Sequence, residues 1–220
     1  MISLTSAEAA PGFDDPLQML RACHGKILRQ CGTLRKLADH LDNGNMEKSS
    51  PDDETRHARS LSPTLSRLAG EGTNESLREL HINHGCDAQV QQAAQGILRY
   101  FDTAGQFHHQ DEEENLFPAL RNCPDVDAAL LERLLSDHQV LLASWNALRP
   151  VLAQLAEGQD VTLAAALVEK FIASYTAHIN VENTQLLPMA ARLLSPQQQD
   201  SLGRKMSERR GAKFPAPATD

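Results

Sequence analysis

Two stretches of the chain share a spacing that suits metal ligation. Residues 108–120 read HHQDEEENLFPAL, and residues 178–190 read HINVENTQLLPMA. Aligned on Pro118 and Pro188, they match at His108/His178, Glu112/Glu182 and Leu116/Leu186. Residues at i and i+4 share a helix face, so each stretch offers an imidazole beside a carboxylate. That donor pair suits iron, manganese or zinc. His24 and His138 add an imidazole each, placed on the apolar stripes of two other segments. A lone histidine on such a stripe is usually a hydrogen-bonded core residue. Four of them with two carboxylates are a different matter, because buried carboxylates are costly unless a cation or full hydrogen bonding neutralises them.

The elements that must carry these residues follow from periodicity. Apolar residues recur at helical spacing in four segments: Leu17, Leu20, Ile27, Cys31, Leu34, Ala38 and Leu41; Val90, Ala94, Ile97, Phe101 and Ala104; Leu131, Leu134, Leu141, Trp145, Leu148, Leu152 and Leu155; Ala164, Leu167, Phe171, Tyr175, Leu186 and Met189. These are the seams of helices packed in an antiparallel bundle. His24 stands as far before Leu41 as His138 before Leu155 and as His178 after Val161, with His108 one residue further from Val90. At 1.5 Å per residue each histidine lies about 26 Å from one common end, so the four fall in one layer. The order, His then HxxxE and again His then HxxxE, reads as a duplicated helical hairpin.

The breaks complete the outline. Asp42–Gly44 ends the first helix, Cys123-Pro124-Asp125 separates the second from the third, and Glu157–Asp160 separates the third from the fourth. Short connections favour antiparallel neighbours. Ser195-Pro196 reads as an N-cap with proline at N1, opening a short fifth helix to about Arg210. The expected organisation is all-α: a segment 1–14, a four-helix bundle over 15–194 with a long Ser-, Pro- and Gly-rich insertion at 43–85, then a short helix and disordered tail over 195–220. A short helix is possible at 75–83, and no strand pattern of convincing length occurs.

Composition narrows the function. The chain has 220 residues, a net charge of -8, and 41% hydrophobic but only 4% aromatic residues. The negative balance argues against binding a nucleic-acid backbone. No run of about 18 apolar residues suggests a membrane span, and no basic and apolar leader opens the chain, so a cytoplasmic location is expected. Cys23, Cys31, Cys86 and Cys123 form no CxxC pair and read as reduced thiols; Cys23 and Cys31, on one helix, sit about 12 Å apart, too far for a disulfide.

The two HxxxE stretches, with single histidines in RACHGKIL and LLSDHQVLL, resemble the hemerythrin-like HHE cation-binding domains over roughly residues 15–193, the insertion excepted. The resemblance implies an up-down antiparallel four-helix bundle around two non-haem iron ions, bridged by carboxylates and an oxo or hydroxo group, with manganese or zinc as other occupants. The family's ligands fall on His24, His108, Glu112, His138, His178 and Glu182. Oxygen-carrying members use a further histidine where this chain has Leu142, and a histidine–aspartate pair where it has His178 and Glu182. A lost ligand leaves a position for water, O2, peroxide or NO. The implied function is a cytosolic di-iron protein that binds or senses O2, NO or iron. The alternative is a redox enzyme of peroxidase or NO-reducing type with a redox partner, and a third reading is a structural bundle with a regulatory metal.

The neighbouring polar residues carry milder expectations. Asp111, Glu113 and Glu114 read as solvated or as supporting the ligands, His109 as off the seam and exposed, and Asp137 as a surface residue. Tyr175 reads as core, with the option of orienting a bound oxygen species. Cys23 reads as a buried thiol. His81 and His84 lie too far along the chain to join the site unless it folds back at Gly85, and His40 and His57 read as surface residues.

Overall fold

The computed structural model describes residues 11–48 and 86–214. The apolar stripes become helices: α1 (Pro16–Lys48), α2 (Ala88–Phe101), α3 (Ala104–Asp111), α4 (Phe117–Arg121), α5 (Ala128–Ala156), α6 (Ala165–Val181), α7 (Leu187–Leu193) and α8 (Pro196–Arg209). There is no strand among the described residues. α1 packs on α2 and α6, and α5 packs on the same two, so the four close a ring around the interior. No helix among the described residues is long and apolar enough to cross a membrane.

The helix ends follow capping chemistry. Asp87 accepts the N–H groups of Gln89 and Val90 at the start of α2, and Asp127 accepts that of Leu130 at the start of α5. Ser195 and Gln198 form a reciprocal capping box at α8, with Pro196 in the first turn, as the sequence predicts. α8 lies close against α1 and the residues just before it. At Gly203 a Cβ atom would run into the carbonyl of Phe13, so only glycine allows the approach.

Several expectations need correction. α1 does not stop at Asp42–Gly44 but runs to Lys48, since a glycine costs a helix only about 1 kcal/mol relative to alanine. The second predicted helix is broken at Asp102-Thr103. There Asp102 accepts the Trp145 indole N–H at 3.0 Å and faces Arg149, while the Thr103 hydroxyl donates back to the Arg99 carbonyl at 2.6 Å. Just beyond, Gly105 is buried where a side chain would crowd the Phe101 ring. The buried stripe of α6 begins at Val168, Phe171, Ile172 and Tyr175, whereas Leu167 and the preceding Ala164 are exposed. The tail is not wholly loose, since Phe214 packs under the Arg204 guanidinium. The insertion apart from its first residues, the short helix at 75–83, His57, His81 and His84 lie outside the described residues.

Two π-helical turns interrupt the chain at matching places, Glu112–Leu116 before α4 and Glu182–Leu186 before α7. In each, the N–H of the residue before the proline reaches five residues back, Phe117 to Glu112 and Leu187 to Glu182. Pro118 and Pro188 lack an N–H, and in a regular helix each ring would clash with the carbonyl four residues earlier. Widening the preceding turn relieves that clash without ending the helix. Such turns are common at functional sites.

The interior is not one continuous core. One apolar cluster gathers Ile27, Leu34, Ile97, Leu148, Phe171 and their neighbours; the other gathers Leu20, Leu116, Phe117, Leu131 and Leu134. Between them lies a polar layer, with His24 between Leu20 and Ile27 on α1 and His138 between Leu134 and Leu141 on α5.

Candidate metal centre

The layer holds His24, His108, Glu112, His138, His178 and Glu182, each at most 2% exposed. The common depth expected from residue spacing is observed, and all six side chains converge. Their donor atoms form two overlapping groups: His24, His108, Glu112 and Glu182, and Glu112, His138, His178 and Glu182, with the atoms of each group within 4.8 Å of one another. Glu112 and Glu182 belong to both. His24 Nε2 lies 3.1 Å from Glu182 Oε2, His178 Nε2 lies 3.0 Å from Glu182 Oε1, and His138 Nε2 lies 3.4 Å from Glu112 Oε2. The Nε2 atoms of His138 and His178 face each other at 3.1 Å.

These groups fit a cation better than they fit one another. Among the described residues, both oxygens of Glu112 and of Glu182, Nε2 of His24 and both ring nitrogens of His108 are buried without a hydrogen-bond partner of sound geometry, despite the short contacts. Burying such groups unsatisfied costs about 1–3 kcal/mol each. A divalent ion seated in each group would use these lone pairs.

The outward nitrogens are held where they would orient the rings. His138 Nδ1 donates to Glu113 Oε1 at 2.6 Å, leaving Nε2 bare towards the centre. His24 Nδ1 donates to Asn183 Oδ1 at 2.9 Å with the same result. Partners of this kind fix the tautomer and raise ligand basicity. Glu113 and Asn183 each follow a site glutamate, so the duplication extends to the supporting residues. Of the acids beside the seam, Glu113 therefore touches a site histidine. Asp137, half-buried, lies 3.8 Å from His178 Nδ1.

Electrostatics separate the two carboxylates. Burial, together with the nearby Glu182 carboxylate, pushes the Glu112 carboxyl well above its usual range. Burial also opposes charge on Glu182, but the imidazoles of His178, His108 and His24 outweigh it and hold that carboxyl well below. Without a cation between them the pair keeps a proton, because two adjacent buried anions repel. Burial pushes His108 down to about 4, against the pull of Glu182, so its imidazole is neutral at pH 7 and free to ligate.

Two residues differ from the sequence reading. Asp111 is not solvated; it is fully buried and gripped by Arg209 at the end of α8 and Arg210 just beyond it, with Arg210 Nη2 2.6 Å from Asp111 Oδ2. Arg209 also holds Glu114. His109 is not an exposed residue off the seam. Its ring stacks on His138 with centroids 4.1 Å apart, and its Nε2 is buried. Adjacent residues on a regular helix diverge by about 100°, which is why periodicity assigned only His108 to the layer. The doubled histidine itself was the available signal. Tyr175 is core, against Phe101 and Phe171, and it lines a cavity of about 30 Å³ with His109, Leu142 and Trp145. All four cysteines are free thiols, and Cys31 is buried in the core. His40 is exposed, 3.8 Å from Asp87.

Helices closing around a buried layer of imidazoles and paired carboxylates define a cation-binding protein of the helical class. The family comparison agrees: residues 15–190 match the hemerythrin HHE cation-binding domain, and the chain belongs to that family. A Haemophilus influenzae protein, described as uncharacterized, is similar at 28% identity over 201 residues, spanning 91% of this chain and 93% of its own length.

Proposed function

We propose that this protein is a cytosolic, non-haem di-iron protein of hemerythrin type that binds or senses O2, NO or iron. The ligands are His24, His108, Glu112, His138, His178 and Glu182, with manganese or zinc as other occupants. The frame is an up-down antiparallel four-helix bundle over residues 15–194, extended by a long insertion and the C-terminal α8. The observation that carries the reading is the pair of four-donor groups that share Glu112 and Glu182. The shared carboxylates of Glu112 and Glu182 would hold two ions, with His24 and His108 at one position and His138 and His178 at the other. Iron held by imidazole and carboxylate supplies redox chemistry towards small oxygen and nitrogen species.

The chain's own residues define what can reach the site. The cavity beside His109 and Tyr175 has room for a water-sized molecule, which suits a diatomic gas or peroxide. A peroxidase or NO-reducing enzyme would use the same small ligands and differs in needing a reductant and repeated turnover.

The test is anaerobic loading with Fe(II), counting of metal per chain, and visible spectra before and after air. Two irons with new near-ultraviolet and visible bands are expected. Reversal under vacuum supports binding or sensing, and stable ferric iron with turnover on added reductant supports the enzyme. Absence of iron uptake, or one ion without spectral change, sinks the di-iron reading.

A further inference from the structure

His109 has a buried nitrogen, Nε2, that nothing among the described residues satisfies. A donor atom of His109 lies within 4.8 Å of donors on both His138 and His178, and these three form a third convergent group in the layer. Packing alone does not require a nitrogen here. Phe117 also lies nearly parallel to His138, at 5.9 Å, and fills its place with carbon only. Leaving an imidazole nitrogen buried and unpartnered is costly, a cost that a phenyl ring avoids. The break at Asp102-Thr103 precedes α3, which carries the two histidines at adjacent positions with their ring centroids 5.7 Å apart. His108 meets the His24 ring edge-on at 4.8 Å, while His109 stacks on His138.

We propose that His109 is a seventh protein ligand, so that the two metal positions are unequal. The ion beside His138 and His178 takes three imidazoles, and the ion beside His24 and His108 takes two; Glu112 and Glu182 serve both. His109 then stands between the small cavity and the second ion, its ring forming part of the cavity wall.

The inference rests on the two-metal reading above, and the test separates the two. The full chain is crystallised with Zn(II), and the ions are located by anomalous scattering. Two ions, one of them about 2.0–2.1 Å from His109 Nε2, are expected. Two ions in the layer with His109 Nε2 beyond about 3 Å overturn the role of His109 and leave the two-metal reading intact. Fewer than two ions overturn both. In solution, His109→Ala is expected to weaken one of the two binding events by at least about 10-fold, with free imidazole restoring it. Two unchanged affinities in a folded variant overturn the proposal.

Discussion

Glu113 Oε1 accepts the Nδ1–H of His138 at 2.6 Å, and this bond has a counterpart in Asn183 and His24 at 2.9 Å. The two halves of the duplicated hairpin thus orient their single histidines in the same way but with different chemistry, a carboxylate in one and an amide in the other. A carboxylate makes its imidazole the more basic donor. Glu113→Ala should lower affinity for the ion beside His138 by roughly 10- to 100-fold while helicity stays constant. Competition with a chromophoric chelator reads the affinity, and circular dichroism reads the fold. An unchanged affinity would mean that the bond only packs the ring.

Metal uptake should depend on pH through Glu112. Its carboxyl is raised by burial and by Glu182, so without a cation the folded protein holds a proton there that the unfolded chain loses near 4.5. The stability this proton supplies is present below 4.5 and lost as pH rises through the raised folded value. An incoming cation expels the same proton. His108, pushed down to about 4, is already neutral at pH 7 and releases none. Apparent affinity should therefore rise by about tenfold per pH unit from about pH 5 up to the raised Glu112 value. Glu112→Gln should flatten that slope as well as weaken binding. A titration series across pH, with proton release followed by indicator dye, checks both.

Asp111 ties α8 to the start of the first π turn. It is fully buried, while its partners Arg209 and Arg210 are 15% and 20% exposed. Removing one member of a buried pair costs about 3–5 kcal/mol, and partial exposure of the arginines reduces this to roughly 2–3 kcal/mol for Asp111→Ala. Urea unfolding measures the loss. Arg209→Ala with Arg210→Ala should be comparably destabilising, because it leaves the carboxylate buried alone. A loss below about 0.5 kcal/mol would show that the clasp is a surface pair in energetic terms.

Phe171 is fully buried among Phe101, Trp145 and Tyr175, on one side of the polar layer. Phe171→Ala should cost about 3–5 kcal/mol through the cavity it leaves. Its metal stoichiometry should stay unchanged, since no ligand sits on that ring. Thermal unfolding and metal analysis of the same preparation separate stability from ligation; loss of metal in a folded variant would contradict the independence of the two.

The helices, the depth of the histidine layer and the choice of six converging side chains were all legible in the sequence. Each depends on a local period: a fixed rise per residue sets depth, and the i, i+4 spacing sets which face a side chain takes. The N-cap at Ser195 was legible for the same reason, being a contact across a single turn. What escaped were features that depend on departures from that period or on distant segments. The break at Asp102-Thr103, held by Trp145 and Arg149 from α5, and the two π turns change the register of the faces that periodicity extrapolates. His109, about 100° round the same regular helix from His108, lies in the layer because it meets the ring of His138 on α5. Asp111 lies buried because two arginines at the end of a helix almost a hundred residues later reach it. Linear spacing determined which residues share a level. Only tertiary packing decided which way the extra histidine points and which charges are neutralised by distant partners, because those depend on what stands opposite each helix.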